Sequence, residues 1–363
     1  MYNSKLTGTG HYLPENVITN QKLTEYMQTS DEWITERTGI KERRVFTEGK
    51  DSVSVMGAKA AEKALAMASV DKKDIDMIVF ATLSPDYYFP GSGVLMQRYL
   101  DINGIPAIDI RQQCSGFIYG ISIADQYIKT GMCKKVLVVG SEIHSNALEY
   151  SDRGRNVSVI FGDGAGAVLL ERCNDGDESR VLSTHIHSDG THAEELVCKH
   201  PGSVKKDRVT NEMLEDGSLL PYMNGQLVFK NAVQRFPEVI NEALTYNNLK
   251  SSDIDLMIPH QANLRISQFV QKLLRLPDEK VFNNIQKYGN TTAASIPIAL
   301  SESVEQGRLK KGDLLCLAAF GSGFTWGDGA MTGRGLWPHF GHNFTSFAVM
   351  SQPGLQLTGG TFK

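Results

Sequence analysis

"DIRQQCSGFIYGISIADQYIKTG" (residues 109–131) places a cysteine just before a stretch with helical periodicity. The apolar and small residues that follow have the spacing of one helix face: Phe117, Ile118, Ile121, Ala124 and Ile128. Cys114 is therefore expected at or near a helix start, where unpaired N–H groups and the helix dipole favour negative charge. A thiol there can have its pKa lowered from about 8.5 toward about 7. The segment fits a nucleophile, and it equally fits a structural cysteine packed beneath the helix.

The same plan of helix, polar link and strand occurs twice along the chain. Residues 63–86 and 242–264 each carry Asp-Ile-Asp before an apolar run, and the two tripeptides start at Asp74 and Asp253. Alternating helices and strands of this kind are typical of an α/β protein, and a repeated unit predicts repeated structure. The chain is therefore expected to form two similar halves.

Two more pairs of segments follow in the same order. Residues 112–124 match 288–300, and this match pairs Cys114 with Asn290 at nearly the same separation as the two tripeptides. The third match joins two Gly-rich segments, FGDGAGAVLL and FGSGFTWGDGA. We interpret the two halves as packed about a pseudo-twofold axis, with helix starts at Cys114 and Asn290 facing each other across it.

Composition narrows the functional classes. The chain has 363 residues and a net charge of −4, so it lacks the basic excess with which proteins neutralise nucleic-acid phosphates. The amino terminus has no apolar signal core, and no run approaches the roughly 18 apolar residues of a membrane span. Five widely spaced cysteines without a C-x-x-C pair argue against disulfides and a zinc site. They predict a reducing, cytoplasmic location.

Two polar residues of the second half are candidates for chemistry. His260 follows the apolar run 256–259, at the kind of strand end where open α/β sheets bind ligands. A surface histidine is the alternative. Asn290 precedes a helical stretch, where asparagine is also a good N-cap. Its match with Cys114 in the repeat favours a catalytic role over that of a cap.

Other motifs have simpler explanations. FGDGAGAVLL lacks the full G-x-G-x-x-G followed by a helix, so it predicts tight turning between strands rather than a nucleotide loop. His185, His187 and His192 lack the spacing of a complete ligand set, so they predict a polar strand face rather than a metal site. Small residues at 319–327 can bring backbone N–H groups close to a ligand. A donor there and another at Cys114 could form an oxyanion hole.

Taken together, these motifs resemble the β-ketoacyl-acyl-carrier-protein synthase III family of thiolase-like condensing enzymes. The specific matches are CSGF with Cys114, PHQAN with His260, GNTTAASIP with Asn290, FGDGAGAV and FGSGFTWG. The resemblance implies an α/β fold of the thiolase-like type, with five αβαβα layers, mixed sheets and two pseudo-symmetric halves. The halves would be residues 1–173 and 174–330. Residues 331–363 would then be an atypical tail, which contains no Asp or Glu.

The resemblance also implies the reaction, a decarboxylative Claisen condensation that initiates fatty-acid synthesis. Cys114 would take an acyl group from an acyl-CoA, with the backbone N–H groups of Cys114 and Ser322 as the oxyanion hole. His260 and Asn290 would donate to the thioester oxygen of malonyl-acyl-carrier protein and stabilise the enolate formed as carbon dioxide leaves. The carbanion would then attack the Cys114 thioester. Coenzyme A is a substrate in this scheme, and neither a resident cofactor nor a metal is implied.

Several binding residues follow from the same resemblance. Four positions match the coenzyme A entrance: Trp33, which would stack on adenine, Arg37, Arg153 and Gly225. Two match the acyl pocket: Phe161, and Phe89, which would reach across a homodimer to close the second chain's pocket. Two match the docking surface for the acidic carrier protein: Arg265 and Lys230. A local basic patch can steer an acidic partner despite the negative net charge.

The chain departs from the family in three places. Ser322 stands where the family more often has glycine, Gln112-Gln113 precede the cysteine, and segment 196–222 is longer than in the enzymes of primary metabolism. No carboxylate flanks Cys114 in sequence, which argues against related branches that use a general-base glutamate. The departures leave open a specialised polyketide or aryl-polyene pathway with a different starter. A non-catalytic partner subunit is opposed by the intact nucleophile and its two partners.

Overall fold

The computed structural model describes residues 2–174 and 176–333, and the predicted tail lies outside these residues except for positions 331–333. The strands are β1 (Asn3–Tyr12), β2 (Asn16–Thr19), β3 (Glu42–Val45), β4 (Met77–Ala81), β5 (Ala107–Ile110), β6 (Lys135–Glu142), β7 (Gly164–Cys173), β8 (Ser179–Ser188), β9 (Leu196–Val197), β10 (Tyr222–Met223), β11 (Leu256–Pro259), β12 (Leu314–Gly321) and β13 (Thr325–Gly333). The helices are α1 (Asn20–Leu23), α2 (Asp31–Thr38), α3 (Val53–Ala68), α4 (Ser92–Leu100), α5 (Gly116–Lys129), α6 (Arg155–Ser158), α7 (Asn211–Asp216), α8 (Gly225–Tyr246), α9 (Leu264–Leu274), α10 (Ile285–Tyr288) and α11 (Ser295–Glu305).

The first large sheet has the strand order β1-β7-β6-β4-β5. β4 is parallel to both β5 and β6, whereas β7 is antiparallel to β6 and to β1. β4 is buried at every position. Parallel strands are buried in this way when helices cover both faces of a sheet, so their sequence is apolar without alternation.

The second large sheet has the order β11-β12-β13-β8 and repeats the directions of the first. β11 is parallel to β12, and β13 is antiparallel to β12 and to β8. β8, β13, β12 and β11 therefore correspond to β1, β7, β6 and β4. A single parallel bridge between Met257 and Val281 stands where β5 pairs with β4 in the first sheet. The prediction of two similar halves in an α/β fold with mixed sheets is confirmed.

Around the central helices, equivalent residues of the two halves differ by a constant amount in residue number. This difference is the same as that between the tripeptides at Asp74 and Asp253. The starts of β4 and β11 are separated by this offset, as are those of β6 and β12, and of α5 and α11. A short 3-10 turn precedes each central helix, Gln113–Ser115 before α5 and Thr292–Ala294 before α11. The structural counterpart of Cys114 is consequently Ala293.

The expected pairing of Cys114 with Asn290 is therefore wrong, because it is displaced by three positions. Asn290 lies before the second turn rather than in it. The sequence match aligned small polar residues, whereas the turn is defined by its backbone: Gln113 and Thr292 both have positive φ. Side-chain similarity carries no information about that conformation in residues other than glycine.

Five layers result from the packing of these elements. α5 and α11 lie between the two sheets, and their apolar faces join both sheets in one core that includes Phe117, Ile121, Ile296 and Leu300. α3 and α4 cover the outer face of the first sheet, and α8 and α9 cover the outer face of the second. Burying each large apolar side chain contributes about 1.5–3 kcal/mol. The predicted αβαβα order is confirmed.

The last strand continues beyond the predicted end of the second half. Met331, Thr332 and Gly333 pair with Val181, Arg180 and Ser179 of β8, respectively. These three residues, expected in the tail, belong to the second sheet. No helix within residues 2–174 and 176–333 is long and apolar enough to cross a membrane.

Candidate active site

Cys114 lies in the 3-10 turn that leads into α5, as its sequence position predicts. Only 7% of the residue is exposed. The end of β12 approaches it closely: a Cβ on Gly321 would be 2.6 Å from the Cβ of Cys114 and 3.1 Å from its Sγ. Only glycine therefore allows β12 to bring the following peptide, that of Ser322, up to the thiol.

Burial dominates the electrostatics of the nucleophile. It raises the pKa of the Cys114 thiol to about 12, and the negative charge of Glu142 acts in the same direction. The backbone N–H groups of Ser322 and Cys114 and the hydroxyl of Thr292 act in the opposite direction, because they favour negative charge on the sulfur. The expected lowering of the pKa is thus wrong, because desolvation of a thiolate outweighs the N–H groups and the helix dipole. The Cys114 thiol is therefore neutral.

His260 follows β11 and is held from two sides. Its backbone N–H donates to the carbonyl of Ala318 at 2.8 Å, and its Nδ1 is 2.6 Å from the Ser295 hydroxyl. Burial lowers the pKa of His260 to about 3, so the ring is neutral. The Ser295 oxygen also accepts the N–H of Gln261, so its own proton is available for Nδ1. This arrangement leaves the hydrogen on Nε2, which is buried and has no hydrogen-bond partner among the described residues.

The side chain of Asn290 is also held in place, by a backbone N–H in the turn before the second central helix. Its side-chain Oδ1 accepts the backbone N–H of Thr292 at 2.8 Å, and its own N–H donates to Ile160 at 2.9 Å. Because Oδ1 is engaged, the amide NH₂ is the group left to act on a ligand. His260 and Asn290 therefore both offer neutral N–H donors.

Glu142, at the end of β6, was not identified from the sequence. Its carboxylate is fully buried and accepts hydrogen bonds from the Ser84 hydroxyl at 2.5 Å, the Thr82 hydroxyl at 3.1 Å and the backbone N–H groups of Leu83 and Ser84 at 3.2 Å. The N–H of Ala293 also favours the charged form of this carboxyl. Burial nevertheless raises the pKa of Glu142 to about 7. Although no carboxylate flanks Cys114 in sequence, the fold brings this one into its neighbourhood. The helix start that corresponds to Cys114 is therefore occupied by the chain's own carboxylate.

A cavity of about 780 Å³ opens onto the thiol, within the range of small-molecule sites. Cys114, Ser322 and Phe161 line it, and Phe161 was predicted there. The long segment contributes Leu196, Val197, Cys198 and Pro221, which confirms that it borders the pocket. Phe89 is not among the lining residues, and 78% of it is exposed.

Ser322 has a specific role that glycine could not fill. Its hydroxyl donates to the carbonyl of Leu196, which belongs to the long segment. Ser322 is not one of the residues with positive φ, so its Cβ causes no backbone strain. The backbone N–H of Ser322 is retained and favours negative charge on the Cys114 sulfur.

The predicted entrance residues are only partly brought together. The guanidinium of Arg37 lies 4.5 Å from the centre of the Trp33 ring, and that of Arg155 lies 4.9 Å from it. Arg155 was missed by the sequence analysis, although it stands two residues after the predicted Arg153. Arg153 instead pairs with Glu149 at 2.8 Å and donates to the carbonyl of Glu215 at 2.9 Å.

The remaining predicted positions lie on the second half. Gly225 is the first residue of α8, where a Cβ would meet only the tip of Met223 at 3.9 Å. Lys230 is exposed further along α8, and Arg265 is exposed in the first turn of α9. α8 and α9 pack against each other, so these two cations are carried by neighbouring helices.

The histidines of β8 form a polar face against α8. His185 and His187 both contact the carboxylate of Glu242, at 3.3 and 2.7 Å. Asp328 of the neighbouring β13 is fully buried beneath them, and burial together with Glu242 raises its pKa to about 9. Within the part of the chain that the structure describes, no group of His, Cys, Asp and Glu has the arrangement of a metal site.

Comparison with known proteins gives consistent matches. Family models match residues 108–190, described as 3-oxoacyl-(acyl-carrier-protein) synthase III, and residues 244–332, described as its C-terminal part. A β-ketoacyl-(acyl-carrier-protein) synthase III of Salmonella arizonae is 45% identical over 324 residues, 89% of this chain and 98% of its own. The crystal structure of the 3-oxoacyl-(acyl-carrier-protein) synthase III from Aquifex aeolicus has a TM-score of 0.83 at 43% identity, covering 91% of this chain and 99% of that one. The priming β-ketosynthase of a polyketide biosynthetic pathway has a TM-score of 0.81 at 30% identity, covering 91% and 96%.

Proposed function

The chain belongs to the 3-oxoacyl-(acyl-carrier-protein) synthase III family, and on this premise we propose how its own residues perform the reaction. The protein is an acyltransferase, a β-ketoacyl-acyl-carrier-protein synthase III. The observation that carries the residue assignment is the meeting of one buried thiol with two backbone N–H groups at the cavity, while two neutral side-chain donors are held at the start of α11.

The first step transfers an acyl group to the enzyme. The Cys114 sulfur attacks the carbonyl carbon of an acyl-CoA, the bond from that carbon to the coenzyme A sulfur breaks, and the thiol proton ends on coenzyme A. The N–H groups of Cys114 and Ser322, which favour negative charge beside the sulfur, would donate to the oxyanion of the tetrahedral intermediate. A single donor of this kind contributes about 3–4 kcal/mol to transition-state stabilisation.

The second step makes the new carbon–carbon bond. The Nε2–H of His260 and the amide of Asn290 would donate to the thioester oxygen of malonyl-acyl-carrier protein, and the enolate forms as carbon dioxide leaves. The low pKa of His260 suits this role, because a neutral donor stabilises the enolate without giving up its proton. The enolate carbon then attacks the Cys114 thioester, and the cysteine leaves as a thiolate that takes up a proton.

We assign coenzyme A to the entrance around Trp33, with Arg37, Arg155, Arg153 and Gly225 as its contacts, and treat it as a substrate rather than a resident cofactor. Arg265 and Lys230 would receive the acidic carrier protein. All five cysteines are free thiols, which supports a reducing compartment such as the cytoplasm.

A homodimer is part of this proposal. Large apolar side chains are exposed together on α4 and on the loop before it: Tyr87, Tyr88, Phe89, Val94 and Tyr99. They adjoin β5, which lies at the edge of the first sheet. An exposed apolar patch beside an edge strand is typical of an interface between subunits. Phe89, which does not line its own chain's cavity, would close the cavity of the second copy.

A specialised starter is the second candidate, with the same chemistry. Charged side chains line the cavity alongside its apolar residues: Asp51, Asp86, Arg98 and Arg111. A pocket for a plain hydrocarbon chain has no need of them. The likeness to the polyketide priming β-ketosynthase also favours this candidate.

Intact mass after incubation with acyl-CoAs tests the proposal. The series runs from acetyl to decanoyl, with branched and ω-carboxylated members, and Cys114→Ala is the control. We expect the mass of one acyl group on the wild type, no gain on C114A, and release of a β-ketoacyl product when malonyl-acyl-carrier protein is added. A preference for an ω-carboxylated member would favour the second candidate. No gain with any acyl-CoA would contradict acyl-CoA as the donor.

A further inference from the structure

The hydroxyl of Thr292 has no role in the two steps above, although it lies beside Cys114. The two 3-10 turns that carry these residues pack against each other, and the hydroxyl favours the charged form of the thiol. On its other side, its Oγ1 lies 2.7 Å from Nε2 of His144. Cys114, Thr292 and His144 are all buried and line the same cavity. The Thr292 hydroxyl, hydrogen-bonded to the His144 ring, is therefore placed to donate to a thiolate at Cys114.

His144 is fixed in this position by the first half. It follows the end of β6, and its backbone N–H donates to the carboxylate of Asp163 at 2.7 Å. Its ring packs against Phe161 with 4.8 Å between ring centres. Asp163 is the acid of the Gly-rich segment FGDGAGAVLL. That segment, which has no other function in the molecule so far, thus holds the loop that carries His144.

Thr292 is fixed by the second half, in a costly conformation. Its φ is 50°, in the left-handed region that β-branched residues rarely adopt. Its backbone N–H donates to Oδ1 of Asn290 at 2.8 Å, which helps to keep it there. Strained backbone of this kind persists at functional sites because the surrounding structure enforces it.

Only one direction of donation from His144 through Thr292 places a proton donor at the Cys114 sulfur. Burial lowers the pKa of His144 to about 4, so the ring is neutral and carries one N–H. The Thr292 hydroxyl has a single proton, which it cannot give to both His144 and Cys114. For the hydroxyl to donate to sulfur, Nε2 of His144 must carry the hydrogen and donate to the hydroxyl oxygen.

We propose that His144 is a positioning residue of the acyl-transfer step: its Nε2–H donates to Thr292 Oγ1 and so turns the hydroxyl proton toward the Cys114 sulfur. The inference rests on the function proposed above. No proton passes to His144, and the thiol proton still ends on the coenzyme A sulfur. When the N–H groups of Cys114 and Ser322 turn to the oxyanion, Thr292 is the donor that remains on sulfur. It therefore stabilises the thiolate both when it attacks and when it leaves.

Two matched pairs of variants test this chain. Thr292→Val removes the hydroxyl and keeps the β-branched shape, whereas Thr292→Ser keeps the hydroxyl. His144→Leu removes the donor, whereas His144→Gln keeps an N–H at a similar reach. The readouts are the pH dependence of Cys114 alkylation by iodoacetamide, followed by mass at the Cys114 peptide, and the acylation rate at saturating acyl-CoA.

We expect T292V and H144L to raise the apparent thiol pKa by about one unit and to slow acylation about 10-fold, the loss of one hydrogen bond to a charged group. T292S and H144Q are expected within about threefold of the wild type. The charge of Glu142 and the neutral ring of His260 also face this region and are unchanged in all four variants. His11→Leu serves as a control, because it breaks a similar histidine–hydroxyl contact, with Ser301 at 2.9 Å, on the far side of α11.

Folded T292V and H144L variants that alkylate and acylate like the wild type would overturn the inference. A lower thiol pKa in H144L would also overturn it, because it would mean that His144 accepts the Thr292 proton instead of donating. If the wild type took no acyl group from any acyl-CoA, the proposed function would fail. The alkylation profiles would still decide the hydrogen-bond chain on their own.

Discussion

Gln113 and Thr292 occupy the same position in the two halves, and both have positive φ, 42° and 50°. Each begins the 3-10 turn before a central helix, and each costs about 1–3 kcal/mol of backbone strain. In the first half the N–H of Cys114, at the turn, favours negative charge on the Cys114 sulfur. In the second half the N–H of Ala293, at the equivalent position, favours negative charge on Glu142. The same 3-10 turn with a positive φ thus occurs in both halves. Only the turn of the first half leaves its N–H groups accessible to a substrate.

Gly321→Ala should disable acyl transfer. The new Cβ would lie 2.6 Å from the Cβ of Cys114, so either the end of β12 or the nucleophile must shift. Displacement of a reacting group by about 1 Å can cost about 100-fold in rate, and we expect a loss of this size in single-turnover acylation. Gly190→Ala is the matched control, since a Cβ there meets nothing within 4 Å. Wild-type acylation by G321A would show that the close approach is dispensable.

Asp328→Asn should stabilise the protein increasingly as the pH rises. The pKa of Asp328 is about 9 in the folded chain, above the unfolded value of about 3.9, so the stability due to its protonated form is fully present below about pH 4 and is lost progressively as the pH rises to about 9. Asparagine does not ionise. We expect the stability of D328N relative to the wild type to increase by at least about 1 kcal/mol between about pH 5 and about pH 9.

Thermal and urea unfolding of both proteins at the two pH values measure the effect of Asp328. His185, His187 and Glu242 are retained in both proteins, together with their ion pairs. A difference between the two proteins that stays constant with pH would contradict the assignment of a buried, protonated carboxyl.

Trp33→Ala should weaken binding of the coenzyme A thioester without touching the chemistry. Stacking of a base on an aromatic ring contributes about 1–3 kcal/mol, so we expect KM for acyl-CoA to rise about 10-fold while kcat stays within about twofold. Trp33→Phe should retain most of the affinity. An acyl thioester that lacks the nucleotide provides the control, because its KM should not depend on residue 33. An equal loss with both donors would place the nucleotide elsewhere.

Deletion of residues 336–363 should leave acylation of Cys114 intact. β13 is paired with β12 and β8 up to Thr332 and with β8 at Gly333, so the deletion leaves every described residue of the second sheet in place. We expect the same acylation rate and the same midpoint of thermal unfolding as the full chain. Truncated protein that is insoluble or inactive would show that the tail contributes to folding.

The sequence was a good guide to the elements that carry the candidate site. The periodicity around Cys114, His260 and Asn290 predicted the helices and the strand that these residues precede or follow. The repeated Asp-Ile-Asp segments at Asp74 and Asp253 predicted two similar halves with the correct offset. Periodicity and motif are properties of neighbouring residues, so a single chain displays them without its tertiary structure.

Residues that act through tertiary contacts were not predicted. Glu142 and His144 lie about thirty positions from Cys114, and nothing in their local sequence marks them as its neighbours. Arg155 was overlooked beside Arg153 because both positions carry the same side chain, and only the fold decides which one meets Trp33.

The direction of the pKa shift of the Cys114 thiol could not be predicted from the sequence either. A helix start contributes about 0.3–1 kcal/mol toward a negative charge, whereas removing a charge from water can shift a pKa by up to about 3–5 units. The second effect depends on how completely β12 and the neighbouring segments cover Cys114. Sequence spacing carries no measure of that coverage.

The hydrogen bond from the Ser322 hydroxyl to the Leu196 carbonyl ties the wall of the cavity to the peptide beside the thiol. Leu196 lines the cavity, and in the proposed mechanism the N–H of Ser322 stabilises the oxyanion. A starter that pushed this wall outward would displace the same peptide, so a poorly fitting chain would lose turnover as well as binding. A change in the length of the wall segment would then alter the rate of acyl transfer as well as the fit.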